Sequence, residues 1–347
     1  MKYIYKPLIL NPSNSKEKEV IGQLKSDGTC QIIDTINSQL RELFEIESPS
    51  ESFSDEEFLE KKVDLLDGRK EEDYGLWIYY EWLNIIVHVL NEADFIAVRS
   101  NRNRGKVSKE EQLALSSKMV GVVGMSVGSS IARTMILERS CGHIRLADFD
   151  DLELSNLNRI QASVLDIGIP KVIICARQIA EIDPFINVEI YSEGVTESNI
   201  DAFMDSLDLV FDECDSIGIK FSLRNHAKKF QIPLIMDTSD NGMIDVERFD
   251  LDAKLPIFHG SIDKYIENPT GMEKMQMIYA ILGEYNMSNE IKAAFSEINK
   301  TIKSWPQLGS SVTSGAGHAT AMGRKVLLGD KEIGGKYLTS LENVAKV

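Results

Sequence analysis

A run of small residues, Gly124-Met-Ser126-Val-Gly128-Ser129-Ser130, follows the apolar stretch ending at Val123 and opens an amphipathic segment. At such a strand-to-helix junction the first backbone N–H groups of the helix lack intrahelical partners and sit at the positive end of the helix dipole. The junction is therefore an anion cradle. Against the G-x-G-x-x-G pattern of nucleotide loops, Ser126 and Ser129 stand at the second and third glycine positions, with Gly128 supplying a small residue between them. The same residues also suit tight packing of a helix on a strand, with no ligand involved. Asp148 closes a second apolar stretch about twenty residues beyond the loop, where a carboxylate accepts hydrogen bonds from a ribose hydroxyl. Loop and acid together point to a nucleotide, and by themselves they fit NAD as well as ATP.

The elements that must position these groups are legible as alternating short apolar runs and amphipathic segments. Residues Met119–Val123, His143–Ala147, Asn187–Tyr191, Asp208–Phe211 and Pro233–Met236 read as strands, with helical stretches between several of them. That alternation predicts an α/β fold with a Rossmann-like, mostly parallel sheet and helices on both faces. After about His259 the pattern turns helical over Gly271–Glu284, Asn289–Lys303 and Ser310–Leu328, broken at Trp305-Pro306. Residues 1–98 read as a small α/β or helical appendage that contains a flexible acidic segment, Glu51 to Asp67. Residues 99–116 form a basic linker and a helix, in which Ser108 and Glu111 fit a capping box. Residues 117–260 form the nucleotide-binding domain, and 261–347 a helical C-terminal part that supplies a dimer or substrate lobe.

Three segments narrow the chemistry: Asp148-Phe-Asp150-Asp-Leu-Glu-Leu-Ser155-Asn156-Leu-Asn158-Arg159, then Gly168-Ile-Pro170-Lys171, then Phe211-Asp212-Glu-Cys-Asp215. In this order and near these spacings they resemble the ThiF/MoeB/HesA-type adenylyltransferases, the superfamily of ubiquitin-activating enzymes and sulfur-carrier activators. The resemblance implies ATP and Mg²⁺ as cofactors. It places Asp148 on the ATP ribose and counts Asp150 with the nucleotide contacts. It sets Asn156, Arg159 and Lys171 on the phosphates, and Asp215 on magnesium. Those residue types suit the reaction, since a carboxylate attacking a polyphosphate is an anion approaching an anion, and cationic groups offset the repulsion and the charge that grows on the leaving pyrophosphate. A guanidinium also matches phosphate oxygens in a planar fork. Members usually form homodimers in which an arginine before the first strand reaches the neighbouring site. Arg102 and Arg104 occupy that region, with pairing to surface acids as the alternative for both, and Arg99 is a weaker candidate.

The chain also departs from the family. Ser126 and Ser129 add side-chain atoms where glycines let phosphate approach, and Ser216 stands where Asn commonly follows the magnesium aspartate. The four cysteines (Cys30, Cys141, Cys175, Cys214) form no C-x-x-C pair, so no zinc is expected. Cys214 is the last of them, so a thioester on this chain is not expected either. The three segments above, with Val123-Gly-Met-Ser-Val-Gly128 and the run Asp237–Asp250, are most similar to a bacterial subgroup often joined to a nitroreductase-like domain, which implies a flavin-dependent partner. His259 is either a structural residue or one that faces the substrate.

Bulk properties exclude other classes. The 347 residues carry 38 Lys+Arg against 54 Asp+Glu, a formal charge of -16, which argues against unaided binding to nucleic acid or an anionic membrane. No window reaches the roughly 18–20 apolar residues of a membrane span, so a soluble cytoplasmic protein is expected. The leading expectation is an adenylyltransferase that converts a carboxylate on a peptide, carrier protein or small acid to its acyl-adenylate. A degenerate nucleotide-binding scaffold and an NAD-dependent oxidoreductase are the alternatives.

Overall fold

The computed structural model describes residues 3–339 apart from Asn241, Asp263, Lys264, Asn268, Glu284, Tyr285, Asn286 and Phe295. Glu284, the expected end of the first C-terminal helix, lies outside the described residues. The chain divides into two compact units, Met1–Lys109 with Ala180–Phe185, and Glu110–Ile179 with Ile186–Val347.

The first unit runs β1 (Leu8–Leu10), α1 (Ser15–Ser26), β2 (Gln31–Asp34), α2 (Ile36–Glu47), α3 (Asp55–Leu66), β3 (Leu76–Tyr80), β4 (Ile85–Val89) and α4 (Glu92–Arg99). Its sheet has the order β1-β3-β4-β2. Apolar faces of α2 and α3, including Leu40, Phe44 and Phe58, pack into one core cluster. The acidic stretch expected to be flexible is instead helix α3. Ser54 and Glu57 close a reciprocal capping box, and Asp55, Glu56 and Glu57 place negative charge in the first turn, where the helix dipole favours it.

The second unit begins with α5 (Lys109–Ser116), directly after Ser108. It continues through β5 (Met119–Val123), α6 (Gly128–Leu137), β6 (His143–Ala147), α7 (Lys171–Ile182, of which Ala180–Ile182 count with the first unit), β7 (Asn187–Tyr191), α8 (Ile200–Met204), β8 (Leu209–Asp212), α9 (Ile217–Phe230) and β9 (Leu234–Asp237). It ends with β10 (Met243–Glu247), α10 (Gly271–Leu282), α11 (Asn289–Ala294), α12 (Gly309–Leu327) and β11 (Gly335–Leu338). Seven strands form one sheet, ordered β11-β10-β9-β8-β5-β6-β7. The five expected strands are all present and pair in parallel with one another. Side chains alternate across the sheet: Val210 joins Phe203, Leu223 and Ala227 of α8 and α9 in one core cluster. A Cβ on Gly323 of α12 would meet Phe211 and Leu209, which mark the opposite face.

Two strands were not expected. β10 and β11 are antiparallel additions at the β9 edge, so the segment after residue 260 is not purely helical. β10 reads poorly as a strand because Asp245 and Glu247 interrupt its apolar residues, yet both faces are buried and these two acids are 0% and 2% exposed. In that segment α12 packs on α6, β9 and β10 within the same unit. Arg248 also ties it down by donating from Nη1 to the carbonyls of Asp330 and Ile333 at 2.6 and 2.9 Å.

Candidate active site

β5 and β8 are adjacent in the sheet, but the chain leaves β5 toward β6 on one side and β8 toward β9 on the other. A crevice opens beyond their carboxyl ends at such a switch point. Val123 is in register with Ala147 and with Asp212, so Gly124, Asp148 and Glu213 emerge side by side at this edge.

Gly124 has φ +91°, and a Cβ there would lie 2.4 Å from the Glu213 carbonyl oxygen. Both the turn and the spacing demand glycine. Gly128 opens α6 so close to β5 that a Cβ would meet Val122 Cγ1 at 2.6 Å. Gly128 therefore provides the close helix-on-strand packing of the third glycine, a role that direct counting had set at Ser129. Ser129 is buried within α6 and lines neither cavity described below, so its side chain does not obstruct the loop.

Asp148 is held by two amides: Oδ2 accepts from Met125 N at 2.6 Å and Oδ1 from Asp150 N at 2.7 Å. Burial raises its pKa above the ordinary carboxylate value, opposed by those amides and by Lys171. A carboxylate offers about four acceptor sites, so a ribose hydroxyl can still be accommodated. Lys171, the first residue of α7, is 7% exposed and places Nζ 2.9 Å from Asp150 Oδ2. Asn156 is buried in a short 3₁₀ turn, Leu154–Asn158, where its Oδ1 accepts from Glu153 N at 3.0 Å. Arg159 follows that turn and donates to Asn158 Oδ1 at 2.9 Å, while its buried Nε has no partner. Burial lowers the guanidinium pKa, with Asp215 opposing the shift.

Two cavities meet at this edge, both within the second unit. The smaller, about 120 Å³, is bordered by Gly124, Ala147, Asp148, Asp150, Val195 and Ile219 among others. The larger, about 730 Å³, is bordered by Arg159, Lys274, Met275, Ile278, Trp305 and Gln307 among others. Ser126, Glu213, Cys214 and Asp215 border both. Asn158 Nδ2 donates to the Gln307 carbonyl at 2.8 Å and so fastens the Trp305-Pro306 segment to the Arg159 turn. Of the expected residues, the structure thus gathers Gly124, Ser126, Asp148, Asp150, Arg159 and Asp215 on cavity walls. Asn156 and Lys171 line neither cavity. Ser216 caps α9, its Oγ accepting from Ile219 N at 3.3 Å.

The remaining candidates lie elsewhere. Arg99 ends α4 and pairs with the buried Asp183 at 3.3 Å, while Arg102 and Arg104 sit in and just after a 3₁₀ turn, Asn101–Asn103, all in the first unit. His259 places Nε2 2.5 Å from the buried Asp245 Oδ1 and lines neither cavity, which is the structural role.

A charge network that local spacing does not reveal adjoins the shared wall, with Lys220 itself on the larger cavity. Asp212 is fully buried and accepts from Arg224 Nη1 at 2.6 Å, Lys220 Nζ at 3.2 Å and Cys214 Sγ at 3.1 Å. Burial alone would raise its carboxyl, but Lys220 and Arg224 outweigh it and hold the pKa at about 2. Arg224 also reaches Glu247, Nε to Oε2, at 2.5 Å and stacks 3.9 Å from the Phe258 ring centroid. Burial and the adjoining Asp212 push the Cys214 thiol well above its ordinary pKa, so this last cysteine is a weak nucleophile. Glu213 Oε1 accepts from Asp237 N at 2.9 Å, and Asp237 Oδ1 accepts from Ser239 N at 2.8 Å. Burial raises both carboxyls, Asp237 to about 7. The available signal was spacing: Lys220 and Arg224 are four residues apart on α9 and so share one helix face.

Chemically, the arrangement can seat two ligands end to end. A ribose-type acceptor and a helix-start cradle serve the small cavity, and a guanidinium and an exposed carboxylate flank the large one.

Comparisons with known proteins agree with this geometry. The model of the ThiF family matches residues 100–254. An uncharacterized protein of Mycobacterium tuberculosis is 37% identical over 330 residues, which cover 93% of this chain and 44% of that protein. The tRNA threonylcarbamoyladenosine dehydratase of Bacillus subtilis is 32% identical over 44% of this chain and 60% of its own length. The molybdopterin-synthase adenylyltransferase of Haemophilus influenzae is 25% identical over 48% of this chain and 69% of its own. The chain thus spans less than two thirds of the first two of these relatives. The crystal structure of PaaA, 20% identical, covers 98% of this chain and 97% of its own with a TM-score of 0.54, a likeness of fold. Among the described residues no helix is long and apolar enough to cross a membrane. The glycine turn, the acid after the second strand and the family match converge on one conclusion: the chain carries a ThiF-family domain across residues 100–254.

Proposed function

We propose that this chain is an ATP- and Mg²⁺-dependent adenylyltransferase that converts a carboxylate to its acyl-adenylate and releases pyrophosphate. The observation that carries the reading is the pair of cavities meeting at Ser126, Glu213, Cys214 and Asp215. The smaller suits the nucleoside, with Asp148 on the ribose, and the larger suits the acyl substrate. In the reaction a substrate carboxylate oxygen bonds to the α-phosphorus as the bond from that phosphorus to the bridging oxygen breaks. Arg159, at the edge of the larger cavity, offsets charge between the two anions, and the free amides at the start of α6 receive phosphate oxygens.

Mg²⁺ fits the residues present. Magnesium is usually held by one or two carboxylates together with substrate phosphates rather than by an all-protein cage. Among the described residues no group of three or more metal-ligating side chains exists, while Asp215 is exposed on the wall common to both cavities. Asp215 would hold the ion jointly with the nucleotide, and the ion would neutralise charge developing on pyrophosphate. Lys171 is engaged by Asp150 and Asn156 by its own turn. In this reading both support the cradle and reach phosphate only after exchanging partners.

The substrate is a peptide, a carrier-protein terminus or a small acid, and the adenylate passes to an acceptor outside this chain. A homodimer, with Arg102 or Arg104 crossing into the partner's site, and a flavin-dependent nitroreductase-like partner complete the proposal. Carboxylate-dependent ATP–pyrophosphate exchange tests it. Arg159→Ala is expected to lower the exchange rate about 10²–10³-fold, the cost of one transition-state donor, and undiminished exchange removes the assignment. Tight Mg-ATP binding without exchange across a broad acid panel would favour a scaffold instead.

A further inference from the structure

The larger cavity has a wall that adenylation chemistry does not account for. On α10, Lys274, Met275, Ile278, Ile281 and Leu282 border it. Their spacing of three and four residues places them on one helix face. The packing divides that face. Ile281 is 4% exposed and joins Ile217, Phe221, Met236 and Phe258 in a core cluster. Met275, Ile278 and Leu282 stay partly exposed, although Ile278 and Leu282 rest against the same cluster. Ile298 and Trp305, from the stretch between α11 and α12, also border the cavity and are partly exposed. Apolar side chains from two separate segments are thus left half-open around about 730 Å³.

Core packing alone would close such side chains off, and a concave apolar surface of this kind is the usual lining of a site for an organic ligand. The volume falls within the roughly 300–1,000 Å³ of sites for drug-sized molecules. The cations on the cavity are otherwise engaged. Arg159 serves the reacting anions in the adenylation reading, and Lys220 is held by Asp212. Lys274 is exposed, and a lysine can lay its methylene stem along apolar surface while its ammonium stays in water. Met275, Ile278, Ile281 and Leu282 give peptide N–H and C=O groups no strong partner. A glycine-rich chain end seated against them would strand polar groups, whereas methylenes or an aromatic ring would lose only unfavourable hydration.

We propose that the acid activated at this site is a hydrophobic monocarboxylate whose aliphatic or aromatic body lies against Met275, Ile278 and Leu282 of α10 and against Trp305. Its carboxylate is the end toward Arg159. This rests on the adenylation reading for the fate of the carboxylate, but the apolar seat itself does not require turnover.

The test titrates the full chain by calorimetry, with and without a non-hydrolysable ATP analogue, against butanoate, hexanoate, octanoate, 3-phenylpropanoate, hexanedioate and glycylglycine. Affinity is expected to rise about two- to fourfold for each methylene from butanoate to octanoate, about fourfold corresponding to full burial. 3-Phenylpropanoate should bind at least as tightly as hexanoate, and hexanedioate and glycylglycine more weakly. Trp305→Ala and Met275→Gln should each flatten the series, lowering octanoate affinity about tenfold with little change for butanoate, while the thermal melt stays cooperative. Either variant that melts cooperatively suffices for the comparison. A flat series in the wild type overturns the proposal, as does tighter binding of hexanedioate or glycylglycine than of hexanoate, or a slope that survives in the variants. ATP–pyrophosphate exchange with the same acids separates the seat from adenylation. A rising affinity series with no exchange for any acid would sink adenylation and leave the seat standing. Exchange with glycylglycine and none with octanoate would do the reverse.

Discussion

Lys171 Nζ lies 2.9 Å from Asp150 Oδ2, and both follow the strand whose last turn Asp148 closes. A lysine 7% exposed and paired with a carboxylate is pre-positioned but not idle. If it transfers to phosphate when nucleotide binds, Lys171→Met should lower ATP affinity about tenfold or more, because a charge-assisted hydrogen bond is worth roughly 1.5–3 kcal/mol. Calorimetric affinity unchanged from wild type would limit the pair to structure.

The Asp212–Arg224 pair predicts a stability effect. Removing one partner of a buried ion pair strands the other, at a cost of about 3–5 kcal/mol. Arg224→Leu strands Glu247 and leaves Asp212 with Lys220, so the unfolding free energy from a urea titration should fall by about 3–5 kcal/mol. Asp212 also has a folded pKa of about 2 against an ordinary 3.8. Its contribution is therefore complete above about pH 4 and is lost as pH falls toward 2.

Asp237 has the opposite sign. Its folded pKa is raised to about 7 from 3.8, so the unfolded chain ionises first as pH rises, and stability falls between about pH 4 and pH 7 before levelling off. Three pKa units correspond to roughly 4 kcal/mol. Asp237→Asn should therefore stabilise the protein at pH 8 and do little at pH 4. Melts at the two pH values that show the same shift would refute the assignment.

Two glycines of the loop should respond differently. Gly124→Ala faces both a φ of +91° and a backbone oxygen 2.4 Å from the new Cβ, so it should misfold the turn and abolish nucleotide binding. Gly128→Ala meets only the Val122 methyl at 2.6 Å. It should fold with a loss of about 1–3 kcal/mol, typical of overpacking. Similar melting points for the two variants would count against this division of roles.

In the candidate site, the sequence pattern located residues whose function depends on local backbone. The glycine turn, Asp148 at a strand end and the Arg159 turn are all within a few residues of a strand or helix terminus that apolar periodicity marks. Asp212, Lys220, Arg224, Glu247 and Asp237 escaped assignment because their significance is non-local. Charged residues of this kind read as surface until tertiary packing removes the solvent around them. The same reason explains why β10, with Asp245 and Glu247 buried on one of its two buried faces, does not read as a strand.

By itself, then, the sequence determined the five parallel strands, the helix-start cradle and the acid beyond the second strand. Hydrophobic periodicity and glycine stereochemistry act over a few residues and need no distant partner. Only the tertiary structure decided that Gly128 and not Ser129 packs the helix, that α12 and β11 complete the same unit, and that Glu213, Asp237 and Ser239 border one cavity. Those relationships arise from register between strands and from burial, which bring together side chains whose spacing along the chain carries no period.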